Sequence, residues 1–130
     1  MNAPSRYEMF VLADGEAKVI FDEDTKIPNA ATLTINKEDH TLANMLRSQL
    51  LLLPFVQFAG YRVPHPLEPR VELKVQTDGT KTPIQAVQDA INALIMLLSR
   101  VKKEFSQEVL KVKTLEGTED QFGGAGEGFF

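Results

Sequence analysis

Thr82-Pro83-Ile84-Gln85-Ala86-Val87-Gln88-Asp89-Ala90-Ile91-Asn92-Ala93-Leu94-Ile95-Met96-Leu97-Leu98 opens the segment on which the fold turns. Thr82 can cap a helix, Pro83 suits its first position, and Gln85 completes a capping box. Neither Gly nor Pro interrupts the chain before Gly117, so the helix is predicted to run to about residue 114. About 30 residues at 1.5 Å each would span roughly 45 Å. Ile84, Val87, Ile91, Leu94, Leu98, Val101 and Phe105 recur at alternating spacings of three and four. Ala86, Ala90, Ala93 and Leu97 lie beside them, and Ile95 lies on the other edge. The apolar arc covers about 200° of the wheel, whereas a helix lying on a sheet needs little more than ~100°. Gln85, Gln88, Asp89, Asn92, Ser99 and Arg100 fill the polar remainder.

Two arrangements can absorb this excess. Either the sheet curls round the helix, or the sheet covers one flank and another protein covers the other. Each large aliphatic buried contributes ~1.5–3 kcal/mol. Left open, such a patch invites aggregation, which a permanent helical interface prevents. Ala86, Ala90 and Ala93 would let a second helix approach closely. The heptad spacing also fits a coiled-coil seam, although about three heptads on a mixed domain do not suggest an isolated coiled coil.

Working outward, Val71-Glu72-Leu73-Lys74-Val75-Gln76 and Ala31-Thr32-Leu33-Thr34-Ile35-Asn36 alternate apolar and polar, the period of half-buried strands. Thr32, Thr34 and Asn36 are expected to face water. Residues 18–22 and 56–61 supply two further strands. Between them, Asp39 is placed to cap a helix from His40, whose apolar side holds Leu42, Met45, Leu46, Leu50, Leu52 and Leu53 and which Pro54 ends. Pro64, Pro66 and Pro69 make residues 62–70 a stiff loop. Asp78-Gly79 turns the chain before the long helix. The expected class is α+β: a two-layer β-β-α-β-β-α domain with a four-stranded, mostly antiparallel sheet and two helices on one face. It covers residues 1–116, with 1–17 an irregular arm, and 117–130 a flexible Gly-rich acidic tail.

Composition narrows the function. The 130 residues make one domain, 43% hydrophobic and 25% charged, with net charge −4 and a pI near 5.2. An acidic domain is not expected to bind nucleic acid by bulk charge. Without cysteine there is no disulfide scaffold, thiolate metal site or cysteine nucleophile. No signal peptide and no membrane span is expected. Glu38-Asp39-His40, with His65 and Glu68, is the one grouping that could hold zinc, but its spacing matches no zinc signature. No phosphate loop or nucleophile elbow is present. The basic residues Arg100, Lys102, Lys103, Lys111 and Lys113 are interleaved with Glu104 and Glu108, the pattern of a solvated face. Neither a catalytic residue, a metal nor a cofactor is expected.

The stretch Glu38-x-His40-Thr41-Leu42-Ala43-Asn44, then Val56-x-Phe58-x-x-Tyr61-x-x-x-His65-Pro66, resembles the signature of the small alpha-like assembly subunits of archaeal and eukaryotic RNA polymerases. His40 to Arg47 is also similar to a helix of the bacterial polymerase alpha subunit, where glycine is commoner at the place of Ala43. Met1-Asn2-Ala3-Pro4, Pro28-Asn29-Ala30, Phe58 to Leu67 and Val75-Gln76-Thr77 resemble the polymerase II branch of the family; the small subunit shared by polymerases I and III is the alternative.

The resemblance implies a fold like the alpha-subunit dimerisation domain and a non-catalytic, nuclear role. It implies a heterodimer with the larger alpha-like subunit, on which the two large catalytic subunits assemble, without direct nucleic acid binding. The expected partner surface comprises Leu46, Leu50, Leu53, Ile91, Leu94, Ile95, Leu98 and Phe105. His40, Thr41, Asn44, Tyr61, His65 and Pro66 either brace the fold or touch a large subunit, and bracing is favoured. Arg47 is either a large-subunit contact or a solvated arginine.

Overall fold

The structure, a computed structural model, describes residues 3–123, and the side chains of residues 3–118. It divides into two compact units, Met1–Leu94 and Ile95–Phe130. In the first, a 3₁₀ turn at Arg6–Met9 precedes β1 (Val19–Glu23), β2 (Ala30–Asn36), α1 (His40–Leu51), β3 (Val56–Arg62), β4 (Arg70–Thr77) and the start of α2 (Pro83–Gly123). The strands pair antiparallel in the order β1-β2-β4-β3. The alternation that predicted the strands also sets the register. Ala31, Leu33 and Ile35 face Val75, Leu73 and Val71, and on the other side of β4, Ala59 and Tyr61 face Val75 and Leu73. These side chains share one face of the sheet, as a period of two requires. Leu33, Ile35, Ala59, Val71, Leu73 and Val75 form the core with Ala43, Leu46 and Leu50 of α1 and Ala86, Val87 and Ala90 of α2. Thr32, Thr34 and Asn36 point to the other face and are half-buried.

Both helix starts are built as the sequence predicts. Thr41 N–H donates to Asp39 Oδ1 at 2.9 Å. Thr82 N–H donates to Gln85 Oε1 at 3.0 Å, and Gln85 N–H donates to Thr82 Oγ1 at 3.3 Å. The helix ends differ from expectation. α1 stops at Leu51, before Pro54, because the residue ahead of a proline is disfavoured in the helical region and the turn closes early. Leu53 N–H then donates to Leu50 O at 3.0 Å. Leu52, expected on the apolar side, lies outside the helix and is 74% exposed.

α2 runs past the expected end near residue 114 to Gly123. A single interior glycine costs only about 1 kcal/mol relative to alanine, and that is too little to stop an established helix. Residues 117–123 are therefore helical, where a flexible tail was expected; the remainder of that tail, 124–130, lies outside the described residues.

A further correction concerns which side of α2 is buried. Ala86 and Ala90 are fully buried in the chain's own core beside Val87, while Ile84 and Ile91 are exposed. The small side chains bring α2 close to its own domain, and they are not available to receive another helix. Within the first unit, the core covers Val87 and part of Leu94 but leaves Ile84 and Ile91 uncovered.

Candidate partner interface

The signature residues cluster where α1 starts. Asp39 caps the helix, and the Thr41 N–H it accepts holds its carboxyl below the usual carboxylate range. His40 Nδ1 and the Tyr61 hydroxyl are hydrogen-bonded at 2.8 Å, with the rings edge to face at 5.5 Å. Glu38 pairs with Lys18 at 2.9 Å. Asn44 Oδ1 accepts from Arg47 Nη2 at 2.7 Å and from Arg47 Nε at 3.3 Å. Ala43 is buried in the core, and Leu42 and Val56 pack against it. The ring of Phe58 lies over Gly60, where a Cβ would meet it at 3.0 Å. His65 Nδ1 accepts from Leu67 N–H at 3.1 Å, which fixes the loop at exposed Pro66. His40, Asn44 and His65 thus each have a bond within the fold. Among the described residues, no three His, Cys, Asp or Glu side chains are grouped to hold a metal ion.

An apolar groove of about 940 Å³ opens beside this cluster, lined by Met9, Phe10, His40, Val63, Pro66 and Leu67 among others. Met9, Phe10 and Leu67 are strongly exposed there.

The predicted partner surface divides. Leu46 and Leu50 are 3% and 0% exposed and belong to the chain's own core, so they are withdrawn as contact residues. They fall there because, with Ala43, they form the side of α1 that is buried in the core. Leu53 and Leu94 are partly buried against the core. In the first unit Ile91 remains exposed. In the second, Ile95, Leu97, Leu98 and Val101 are each about half exposed, and Phe105 is 70% exposed. Sequence reasoning stopped at Phe105, yet Leu110, Val112 and Leu115 are exposed too. The sevenfold spacing of Leu98, Phe105 and Val112, and of Val101 and Leu115 about Glu108, was the available signal. Among the described residues, no helix is long and apolar enough to cross a membrane.

A first unit with caps and core complete, and a long helix with many large apolar side chains left exposed, are the features of a domain built to be covered by another chain. The chain belongs to the family described as the RNA polymerase Rpb3/Rpb11 dimerisation domain, which matches residues 30–104. It is 49% identical over 123 residues to the DNA-directed RNA polymerase II subunit RPB11 of Schizosaccharomyces pombe, covering 94% of this chain and 99% of that one. It is 44% identical over 115 residues to the RNA polymerase II subunit rpb11 of Dictyostelium discoideum, covering 88% of this chain and 96% of the relative. The fold is similar to the crystal structure of DNA-directed RNA polymerase subunit L from Thermoplasma acidophilum. The TM-score is 0.61 at 22% identity, covering 75% of this chain and 96% of that one.

Proposed function

We propose that this chain is the small alpha-like subunit of a nuclear DNA-directed RNA polymerase II. It pairs with the larger alpha-like subunit and carries no catalytic residue itself. The pair serves as the platform on which the two large catalytic subunits assemble. The observation that carries this reading is the row of uncovered aliphatic and aromatic side chains on α2, in a chain that belongs to a dimerisation-domain family. Ile91 and Leu94 from the first unit, and Ile95, Leu98 and Phe105 from the second, are the partner contacts. The groove beside Met9, Phe10 and Leu67 is a second apolar surface, available to a large subunit. Arg47, half-buried and oriented by Asn44, is a further candidate contact.

Co-purification tests this. Leu98→Asp with Phe105→Asp alters two exposed side chains and spares the core. The double variant is expected to fold as the parent does and to lose the larger alpha-like subunit. Recovery of the complex at parental yield would refute the assignment.

A further inference from the structure

Between Leu98 and Leu115, the described part of the second unit's seam contains one residue that does not belong in an apolar contact. Leu98, Phe105 and Val112 repeat at sevens, as do Val101, Glu108 and Leu115, the spacing of facing positions in a left-handed helix pair. Glu108 stands three residues after Phe105 and four before Val112, so it shares their helix face, and Val101 and Leu115 continue that face above and below it. Its apolar neighbours are all exposed. Here Glu108 is itself exposed at 67% and accepts a 2.9 Å ion pair from Lys111, one turn on and toward the flank. An ion pair as wet as this contributes little, and water does most of the solvation.

Covering the seam changes that balance. The carboxylate loses its water, and its pair with Lys111 on the flank, once taken out of water, is costly unless further charged or hydrogen-bonding groups complete its solvation. A single charged or polar group in an otherwise apolar seam is the device by which paired helices select register and partner. Two copies of this chain in register would set the two Glu108 carboxylates face to face.

We propose that Glu108 is a partner-selecting residue. It disfavours pairing of this chain with itself and demands a lysine or arginine on the partner helix at the same layer. The inference rests on the heterodimer reading above and deepens it. The occupant it commits to is a helix of the larger alpha-like subunit that is apolar along its seam and bears a cation opposite Glu108. A second copy of this chain is the competitor that the device rejects.

The test uses the full chain and the full partner subunit, with affinities for the partner and for self measured by sedimentation. Glu108→Lys is expected to weaken the heterocomplex at least about tenfold, the effect of a charge reversed against a fixed cation. One partner variant with a seam Lys or Arg changed to Glu should restore it. Glu108→Leu is expected to raise self-association at least about tenfold, because the repelling pair is gone. Since Glu108 is exposed, the helical content of the free variants should match the parent. Parental affinity for Glu108→Lys, or failure of every partner charge reversal to rescue it, would overturn the inference. So would unchanged self-association of Glu108→Leu. Leu98→Asp separates the two levels. If it abolishes the complex while the Glu108 variants behave as the parent, only partner selection by Glu108 fails. If it too leaves the complex intact, the heterodimer surface fails and this inference with it.

Discussion

The two parts of α2 obey opposite rules. In residues 83–94 the domain's own core takes up Ala86, Val87 and Ala90 with Leu94 packed against it, and leaves Ile84 and Ile91 exposed. In residues 95–118 no described side chain is fully buried, yet Ile95, Leu97, Leu98, Val101, Phe105, Leu110, Val112 and Leu115 are all large and apolar. The first part is explained by the chain's own core. The second has no explanation among the described residues. The comparison teaches that hydrophobicity alone does not tell which face a helix turns inward, because close approach to a sheet selects for small volume.

The sharpest way to break this contrast is to charge one part and leave the other. Leu98→Asp with Phe105→Asp removes two large apolar contacts, each worth ~1.5–3 kcal/mol. Affinity for the larger alpha-like subunit, measured by titration, should fall by about a hundredfold or more. The thermal transition of the free chain should not fall.

The converse change probes the core. Leu50→Ala empties a fully buried site between α1 and the sheet. Chemical denaturation should show a loss of about 2–5 kcal/mol, the range for truncating a buried leucine. If Leu50 were instead a partner contact, the variant would keep its stability and lose its partner.

Much of this was readable in the residues. The order of elements, the strand alternation and both helix caps follow from local rules, because each depends on neighbours a few positions away. The partner assignment of Leu46 and Leu50 failed because an apolar stripe looks the same whether a sheet or a second chain covers it. The inward turn of Ala86 and Ala90 was missed for the related reason that packing distance is a tertiary property. The end of α2 is not legible from Gly117, because one glycine costs an established helix too little to end it. A Cβ built at Gly117 meets nothing within 4 Å. Gly117→Ala should therefore stabilise the helix by up to about 1 kcal/mol, seen as increased helical circular dichroism on heating.

The smallest effect concerns pH, and it sharpens the first-unit side of the comparison. The carboxyls of Asp24, Asp39 and Asp78 are held below their usual range, chiefly by backbone N–H groups of Lys26, Thr41 and Thr80 respectively. A depressed folded-state value means that the stabilisation is fully present above the unfolded value near ~3.9. It is lost as pH falls through the lower folded value. Thermal melts should therefore be insensitive to these groups at pH 6–8 and should drop below about pH 4. Asp39→Asn, which keeps a capping oxygen without a titrating carboxyl, should lessen that drop. An unaltered acid profile would mean that the cap does not titrate with folding.

The absence of native cysteine makes the central claim directly measurable. A single Phe105→Cys variant should react rapidly with a water-soluble alkylating reagent when the chain is free, and become protected on addition of the larger alpha-like subunit. A Met96→Cys control, which lies on the other side of the helical wheel, should stay reactive in both states. Equal reactivity of Phe105→Cys with and without the partner would contradict the account.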